Sequence, residues 1–157
     1  MKILQFLLIS LSHKILKILP YRLIRLLSDP IGTLYFLLTF RSSIKLFKRR
    51  KIFEKLKINY KPLIVKINYT RYWLETLWLT NKNFSKHITP HVEIENQEYV
   101  DKLKKQYPGL IFALPHLGNW EFAIPIGNSI KLNLLAVAEP LSNSYVLNWF
   151  KSLRESL

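Results

Sequence analysis

The first 40 residues of the chain are mostly leucine, isoleucine, phenylalanine and tyrosine, with single basic residues between them. The apolar spacing predicts a helix over residues 4–19, which Pro20 interrupts, and a second short helix that ends near Leu27. Residues 28–30 (Ser-Asp-Pro) are typical of a turn that leads into a third helix over 31–48. A further basic helix is predicted over 52–56.

The middle of the chain changes to a pattern that is richer in aromatic residues. Apolar spacings near three and four over residues 63–79 predict a helix with an aromatic, buried face. A short strand is predicted at 92–94, followed by a helix over 95–105 with Asn96 as its N-cap. Pro108-Gly109 is typical of a turn.

The last third of the chain predicts an α/β fold. The apolar runs 110–114 and 134–138 are typical of buried parallel strands. A loop over 115–118 and a helix over 119–129, capped by its first residue, connect them, and an amphipathic helix follows over 144–157. Strand, helix and strand in about thirty residues form a right-handed crossover unit. We therefore expect N-terminal membrane-associated helices followed by the start of a mixed or parallel sheet with crossover helices.

The charge of the chain is concentrated at one end. The net charge is +14, and residues 1–66 carry 15 lysines and arginines against two acidic residues, which gives this part alone +13. Such asymmetry predicts an anionic partner, either membrane phospholipid or nucleic acid. The abundance of leucine favours the membrane, because apolar side chains enter the acyl boundary while basic ones reach the headgroups. A nucleic-acid-binding module is the less favoured alternative.

The apolar runs Ile3 to Leu11 and Ile31 to Phe40 are shorter than the roughly 20 residues that a bilayer-crossing helix needs. We therefore predict an interfacial or re-entrant anchor, with the basic residues 41–57 on the cytoplasmic side. A polar-faced helix packed on the rest of the protein is the alternative. The predicted organisation is a membrane-associating region over 1–60 and an α/β domain over 61–157.

The chemistry-bearing residues follow the first predicted strand. His116 lies two residues beyond it, where ligands bind in open α/β sheets, and Glu121 lies five residues further on. A histidine moves protons near neutral pH, and a nearby carboxylate fixes its tautomer and favours its charged form. Backbone amides at the start of the following helix would be available to an oxyanion. From spacing alone, a structural histidine and a glutamate that simply favours a helix N-terminus remain the more common outcome.

The composition of the chain and the spacing of its other histidines predict no competing catalytic or metal site besides this pair. The chain has no cysteine, which excludes disulfides, thiolate metal sites and a thiol nucleophile. His87 and His91 are four residues apart, but Thr89-Pro90 argues against a shared helical face, so no metal site is predicted.

Three stretches of the chain resemble the bacterial lipid A lauroyl/myristoyl acyltransferase family, and most closely its phosphatidylinositol mannoside acyltransferase branch. They are residues 68–75, 113–121 and a C-terminal pair, 136–141 with 149–157. The resemblance implies His116 as catalytic base, Glu121 as its partner, and Gly118, Asn119 and Glu139 near the substrate. It also implies an acyl-CoA or acyl carrier protein donor, no further cofactor, a glycolipid acceptor, and the cytoplasmic face of the inner membrane.

Two departures qualify this resemblance. Glu139-Pro140 stands where the lipid A branch is expected to have Arg-Pro, which makes lipid A less favoured as the acceptor. The resemblance covers only the N-terminal half of the family's length, and the chain stops at Leu157 within a predicted helix. We therefore expect a sheet that is incomplete at the C-terminus. The alternative hypothesis is a catalytically inactive, membrane-associated fragment of such an enzyme.

Overall fold

The computed structural model describes residues 2–40, 61–114, 118–135 and 140–157, together with positions 52, 53, 55, 57 and 59. The chain divides into two compact units, Met1–Asn81 with Leu135–Leu157, and Lys82–Leu134. The domain boundary predicted at residue 60 falls in a stretch of which few positions are described, so it stays a prediction.

Helices account for the regular structure of the described residues. In chain order they are α1 (Lys2–Leu16), α2 (Tyr21–Leu38), α3 (Pro62–Trp78), α4 (Phe84–His87), a 3₁₀ turn (Thr89–His91), α5 (Gln97–Gln106), a second 3₁₀ turn (Trp120–Phe122), α6 (Ala123–Ser129) and α7 (Ser144–Glu155). Ile52, Phe53 and Lys55 are also helical. The helices predicted over 4–19, 63–79, 95–105 and 144–157 are thus confirmed to within a few residues.

The turn predicted at 28–30 is wrong, because α2 continues through Pro30. A proline inside a helix costs about 3 kcal/mol, and packing on α3 explains why α2 tolerates it. Gly32 brings the two helices so close that a Cβ at this position would lie 2.6 Å from the Ile67 Cα. Ser28, fully buried, donates its hydroxyl to the Ile24 carbonyl at 2.8 Å. Residues 41–48 of the predicted third helix lie outside the described residues.

The break at Pro20 is confirmed, and side chains from the end of α3 satisfy its backbone. The Trp78 indole Nε1 donates to the Leu19 carbonyl at 2.8 Å. Asn81 Nδ2 donates to the same carbonyl at 3.2 Å and to the Lys17 carbonyl at 2.5 Å. These carbonyls follow the end of α1, where no helical N–H reaches them. The connection between α1 and α2 is therefore fixed by long-range contacts.

An aromatic-rich core joins α1, α3 and α7. Its buried centre is on α7, and partly buried residues from the three helices pack around it: Val146, Phe150 and Leu153 at the centre, with Phe6, Ile9, Trp73 and Trp149 around them. The Trp73 and Phe150 rings meet edge-on with centroids 5.7 Å apart. This packing confirms the buried aromatic face predicted for residues 63–79.

Asn143 attaches α7 to the start of α1. Its Oδ1 accepts from the Tyr145 backbone N–H at 3.2 Å, which caps α7. Its Nδ2 donates to the Lys2 carbonyl and to Gln5 Oε1, both at 3.0 Å. One buried amide thus satisfies groups on two helices.

The second unit contains α4, α5 and α6. Asn96 lies at the N-cap of α5 as predicted, but its backbone is left-handed (φ 57°) and its side chain does not accept a capping hydrogen bond. The Phe84 and Phe122 rings meet edge-on at 5.5 Å. Lys104 donates from Nζ to the Ile130 carbonyl at 3.2 Å, beyond the C-terminus of α6, where a cation is favoured.

The predicted strands are not found among the described residues, so the α/β fold class and the sheet are not supported. Residues 92–94 and 110–114 are irregular, as are positions 134 and 135, while 136–138 lie outside the described part. A strand is stable only when a neighbouring strand pairs with its backbone, and no such neighbour lies in the described ranges. Within those ranges, no helix is long and apolar enough to cross a membrane.

Candidate active site

The predicted site loop ends at Gly118, which lies in a bend of the backbone within the second unit. Gly118 has φ +61°, a left-handed conformation that only glycine adopts without strain. A Cβ at this position would meet nothing within 4 Å, so backbone conformation alone favours glycine here. Gly118 thus provides a bend at the end of the loop predicted over 115–118.

Asn119 caps the helical segment that follows, as the sequence predicts. Its backbone is extended, and its Oδ1 accepts from the Glu121 backbone N–H at 3.2 Å. The Asn119 carbonyl accepts from the Phe122 N–H, also at 3.2 Å. The backbone amides of Glu121 and Phe122 thus both donate to Asn119 within the segment. These two amides are therefore not the ones that would bind an oxyanion at the start of the helix.

Glu121 is the most buried charged residue of the described chain, with 1% of its surface exposed. It lies in the 3₁₀ turn that leads directly into α6, where the positive end of the helix dipole favours a carboxylate. A buried carboxylate is retained only where hydrogen bonds or charges compensate its desolvation. Trp120, its neighbour, remains 36% exposed. The turn therefore points the acidic residue inward.

The other predicted site residues lie outside the described residues. This applies to His116 and to Glu139. Gly118, Asn119 and Glu121 are brought together, and they are linked by backbone conformation and the capping hydrogen bond.

A match to a known protein family covers nearly the whole chain. The family model described as bacterial lipid A biosynthesis acyltransferase matches residues 2–157. The chain belongs to this family. Neither the curated proteins nor the solved structures give a match. The resemblance inferred from the three sequence stretches is thus confirmed at the level of the family, and acyl transfer is the chemistry that the family model describes.

This member of the family also has a buried polar network that the sequence did not single out. The Tyr21 hydroxyl donates to Glu75 Oε1 at 3.1 Å across the α2–α3 interface, and Glu75 is buried. Burial raises the pKa of Tyr21, while its hydrogen bond to Arg25 acts in the opposite direction. The only signal in the sequence is that Glu75 is the one acidic residue of α3. Its partner, 54 positions away, has no local signature.

A second polar contact links α1 to the end of α3. His13 Nε2 lies 2.7 Å from Thr80 Oγ1, and the imidazole meets the Trp149 ring edge-on at 5.4 Å. Burial, and to a lesser degree the charge of Lys17, lowers the pKa of His13. The described residues of the acyltransferase contain no group of three histidine, cysteine or acidic side chains placed to hold a metal.

Proposed function

We propose that the chain transfers a fatty acyl group from an acyl thioester to a hydroxyl of a membrane glycolipid at the cytoplasmic face of the inner membrane. Membership of the acyltransferase family supports the reaction class. The observation that carries the assignment of residues is Glu121, which lies five positions after His116 and is buried at the start of a capped helical segment. A carboxylate held in this way suits a partner that orients a histidine.

In the proposed reaction His116 acts as general base. It takes the proton of the acceptor hydroxyl as the hydroxyl oxygen attacks the thioester carbonyl carbon. The tetrahedral intermediate then collapses, the carbon–sulfur bond breaks, and the proton passes from the imidazole to the leaving thiolate. Glu121 stabilises the imidazolium formed between these steps. The products are the acylated glycolipid and the free thiol of coenzyme A or acyl carrier protein.

A phosphatidylinositol mannoside is the proposed acceptor, with a lipid A-type precursor as the second candidate. The preference rests on Glu139-Pro140, which stands where the lipid A branch is expected to have Arg-Pro. An acidic acyl carrier protein would suit the +13 charge of residues 1–66 as donor. Each donor and each acceptor therefore needs its own assay arm.

The test measures transfer of a labelled acyl group in membranes that contain the full chain. We expect His116→Ala to lower the rate about 10²–10⁴-fold, the usual contribution of a positioned base. His91→Ala is the matched control, because His91 is exposed in the second unit and has no part in the mechanism. Wild-type rates in His116→Ala, or no transfer between any donor and acceptor pair, would contradict the proposal.

Glu121→Gln tests the positioning role separately. Loss of the carboxylate charge lowers the pKa of the base, so the acidic limb of the pH–rate profile should move to lower pH. Glu98→Gln, on exposed α5, should leave the profile unchanged. A lower rate in Glu121→Gln with an unshifted profile would mean that this residue is only structural.

A further inference from the structure

A strip of exposed apolar side chains runs along α1. Six large aliphatic residues of this helix are each 50–61% exposed: Ile3, Leu4, Leu7, Leu8, Leu11 and Ile15. At 100° per residue they occupy one continuous arc of about 140°. We call this surface the α1 strip.

The opposite face of α1 is held by the rest of its unit. Phe6 and Ile9 pack against the α7 core, and Leu16 is buried. Gln5 Oε1 and His13 Nε2 make hydrogen bonds to Asn143 and Thr80. Because these contacts extend along the helix, α1 lies side-on against its unit and exposes the large aliphatic residues of the α1 strip.

The charge around the α1 strip selects one kind of occupant. Lys14 lies within the arc, about 20° from its Ile3 edge, Lys17 and Arg22 follow later in the chain, and no acidic residue precedes Asp29. An apolar strip flanked by cations matches the acyl boundary and headgroups of an anionic lipid surface. Each such cation strengthens binding to an anionic leaflet about fivefold.

We infer that the α1 strip is the face on which this protein docks to anionic phospholipid, with α1 lying in the plane of the interface. The leucines enter the acyl boundary, and Lys14, Lys17 and Arg22 reach the headgroups. The inference depends on the proposed function in one respect only, the identity of the membrane to which the protein binds.

The test measures binding of the full chain to vesicles of phosphatidylcholine, with and without an equal part of phosphatidylglycerol. We expect Leu7→Ser/Leu11→Ser to weaken binding to the mixed vesicles tenfold or more. Lys14→Gln/Lys17→Gln should weaken it about fivefold per charge, and only when phosphatidylglycerol is present. Tyr99→Ser is the matched control, since Tyr99 is 62% exposed on α5, outside the α1 strip. Unchanged binding in the leucine variant would overturn the inference.

A labelling experiment keeps the inference testable if the leucine variant unfolds. The chain has no cysteine, so Leu8→Cys and Tyr99→Cys each give a single site for an environment-sensitive fluorophore. The label at position 8 should shift to the blue on mixed vesicles, and the label at position 99 should not. A shift at position 8 caused by self-association without vesicles would assign the strip to a second copy of the chain instead.

The same variants separate this inference from the proposed function. Leu7→Ser/Leu11→Ser should acylate detergent-dispersed acceptor at the wild-type rate while losing vesicle binding. If the wild type binds vesicles through the α1 strip but transfers no acyl group, only the proposed function fails.

Discussion

Gly32 provides a quantitative test of how α2 packs on α3. In Gly32→Ala the new Cβ would lie 2.6 Å from the Ile67 Cα and 3.3 Å from its Cβ. Carbon atoms pack best at about 3.5–4.0 Å, so the helices must separate by about 1 Å. The closest atom belongs to the backbone, and a rotamer change of Ile67 therefore cannot relieve the contact.

The expected cost follows from two opposing terms. Overpacking a close helix interface costs about 3 kcal/mol at the upper end of its usual range, while alanine gains about 1 kcal/mol of helix propensity over glycine. The net loss of unfolding free energy is about 2 kcal/mol, which corresponds to a melting temperature about 4–8 °C lower for a chain of this size. Thermal unfolding followed by circular dichroism measures it, with hydrogen exchange of the α2 and α3 amides as the local readout.

Gly127→Ala is the matched control within α6. The nearest atom to its Cβ is Leu134 Cδ1 at 2.7 Å, the end of a flexible side chain that is 43% exposed. Leu134 can rotate away, so the propensity gain of up to about 1 kcal/mol should remain. A Gly32→Ala variant as stable as the wild type, or one no less stable than Gly127→Ala, would refute the close approach of α2 and α3.

Three further perturbations test polar contacts, each by thermal or denaturant unfolding. Asn143→Ala should cost about 2–3 kcal/mol, because it removes the α7 cap and two hydrogen bonds to α1. Tyr21→Phe should cost about 1–3 kcal/mol by removing the donor to buried Glu75. The lowered pKa of His13 means that its contribution is present above pH 6.5 and is lost as pH falls through the folded-state pKa. His13→Gln should therefore flatten the decline of stability towards acidic pH.

Each of these expectations has a result that contradicts it. For Asn143, an Asn143→Asp variant as stable as the wild type would remove the role of Nδ2, since aspartate retains the capping oxygen but has no N–H donor. A Tyr21→Phe variant of unchanged stability would mean that water replaces the hydroxyl at Glu75. If the stability of His13→Gln falls equally steeply towards acidic pH, other titrating groups cause that fall.

The sequence predicted the helices that carry their own local signals. In residues 63–79 and 144–157 the apolar spacing matches a helical face, and that face packs in the α3–α7 core. Asn119 was predicted as a cap and is one. These features depend on residues within one or two turns of each other, and such residues interact in any helix.

The errors concern features that depend on distant residues. Pro30 is a local signal for a helix start, yet α2 continues through it. We attribute this continuity to the close contact between Gly32 and Ile67, two residues that are 35 positions apart in the sequence. The apolar run 110–114 has the composition of a buried strand, yet Ile111 is fully exposed and the segment is irregular. Composition indicates what a segment would bury, whereas pairing with another segment decides whether it becomes a strand.

The candidate site combines both kinds of feature, and this changes the interpretation of Asn119. The family resemblance implied that Asn119 lies near substrate, while in the structure its side chain and carbonyl accept from the backbone N–H groups of Glu121 and Phe122. Those hydrogen bonds fix the turn that keeps Glu121 buried, and Gly118 provides the left-handed residue that precedes it. Asn119 therefore fixes the position of Glu121, and under the proposed function it would act on the chemistry through that residue. The close spacing of glycine, asparagine and glutamate in this motif therefore sets the local backbone conformation, in addition to supplying a residue proposed for proton transfer.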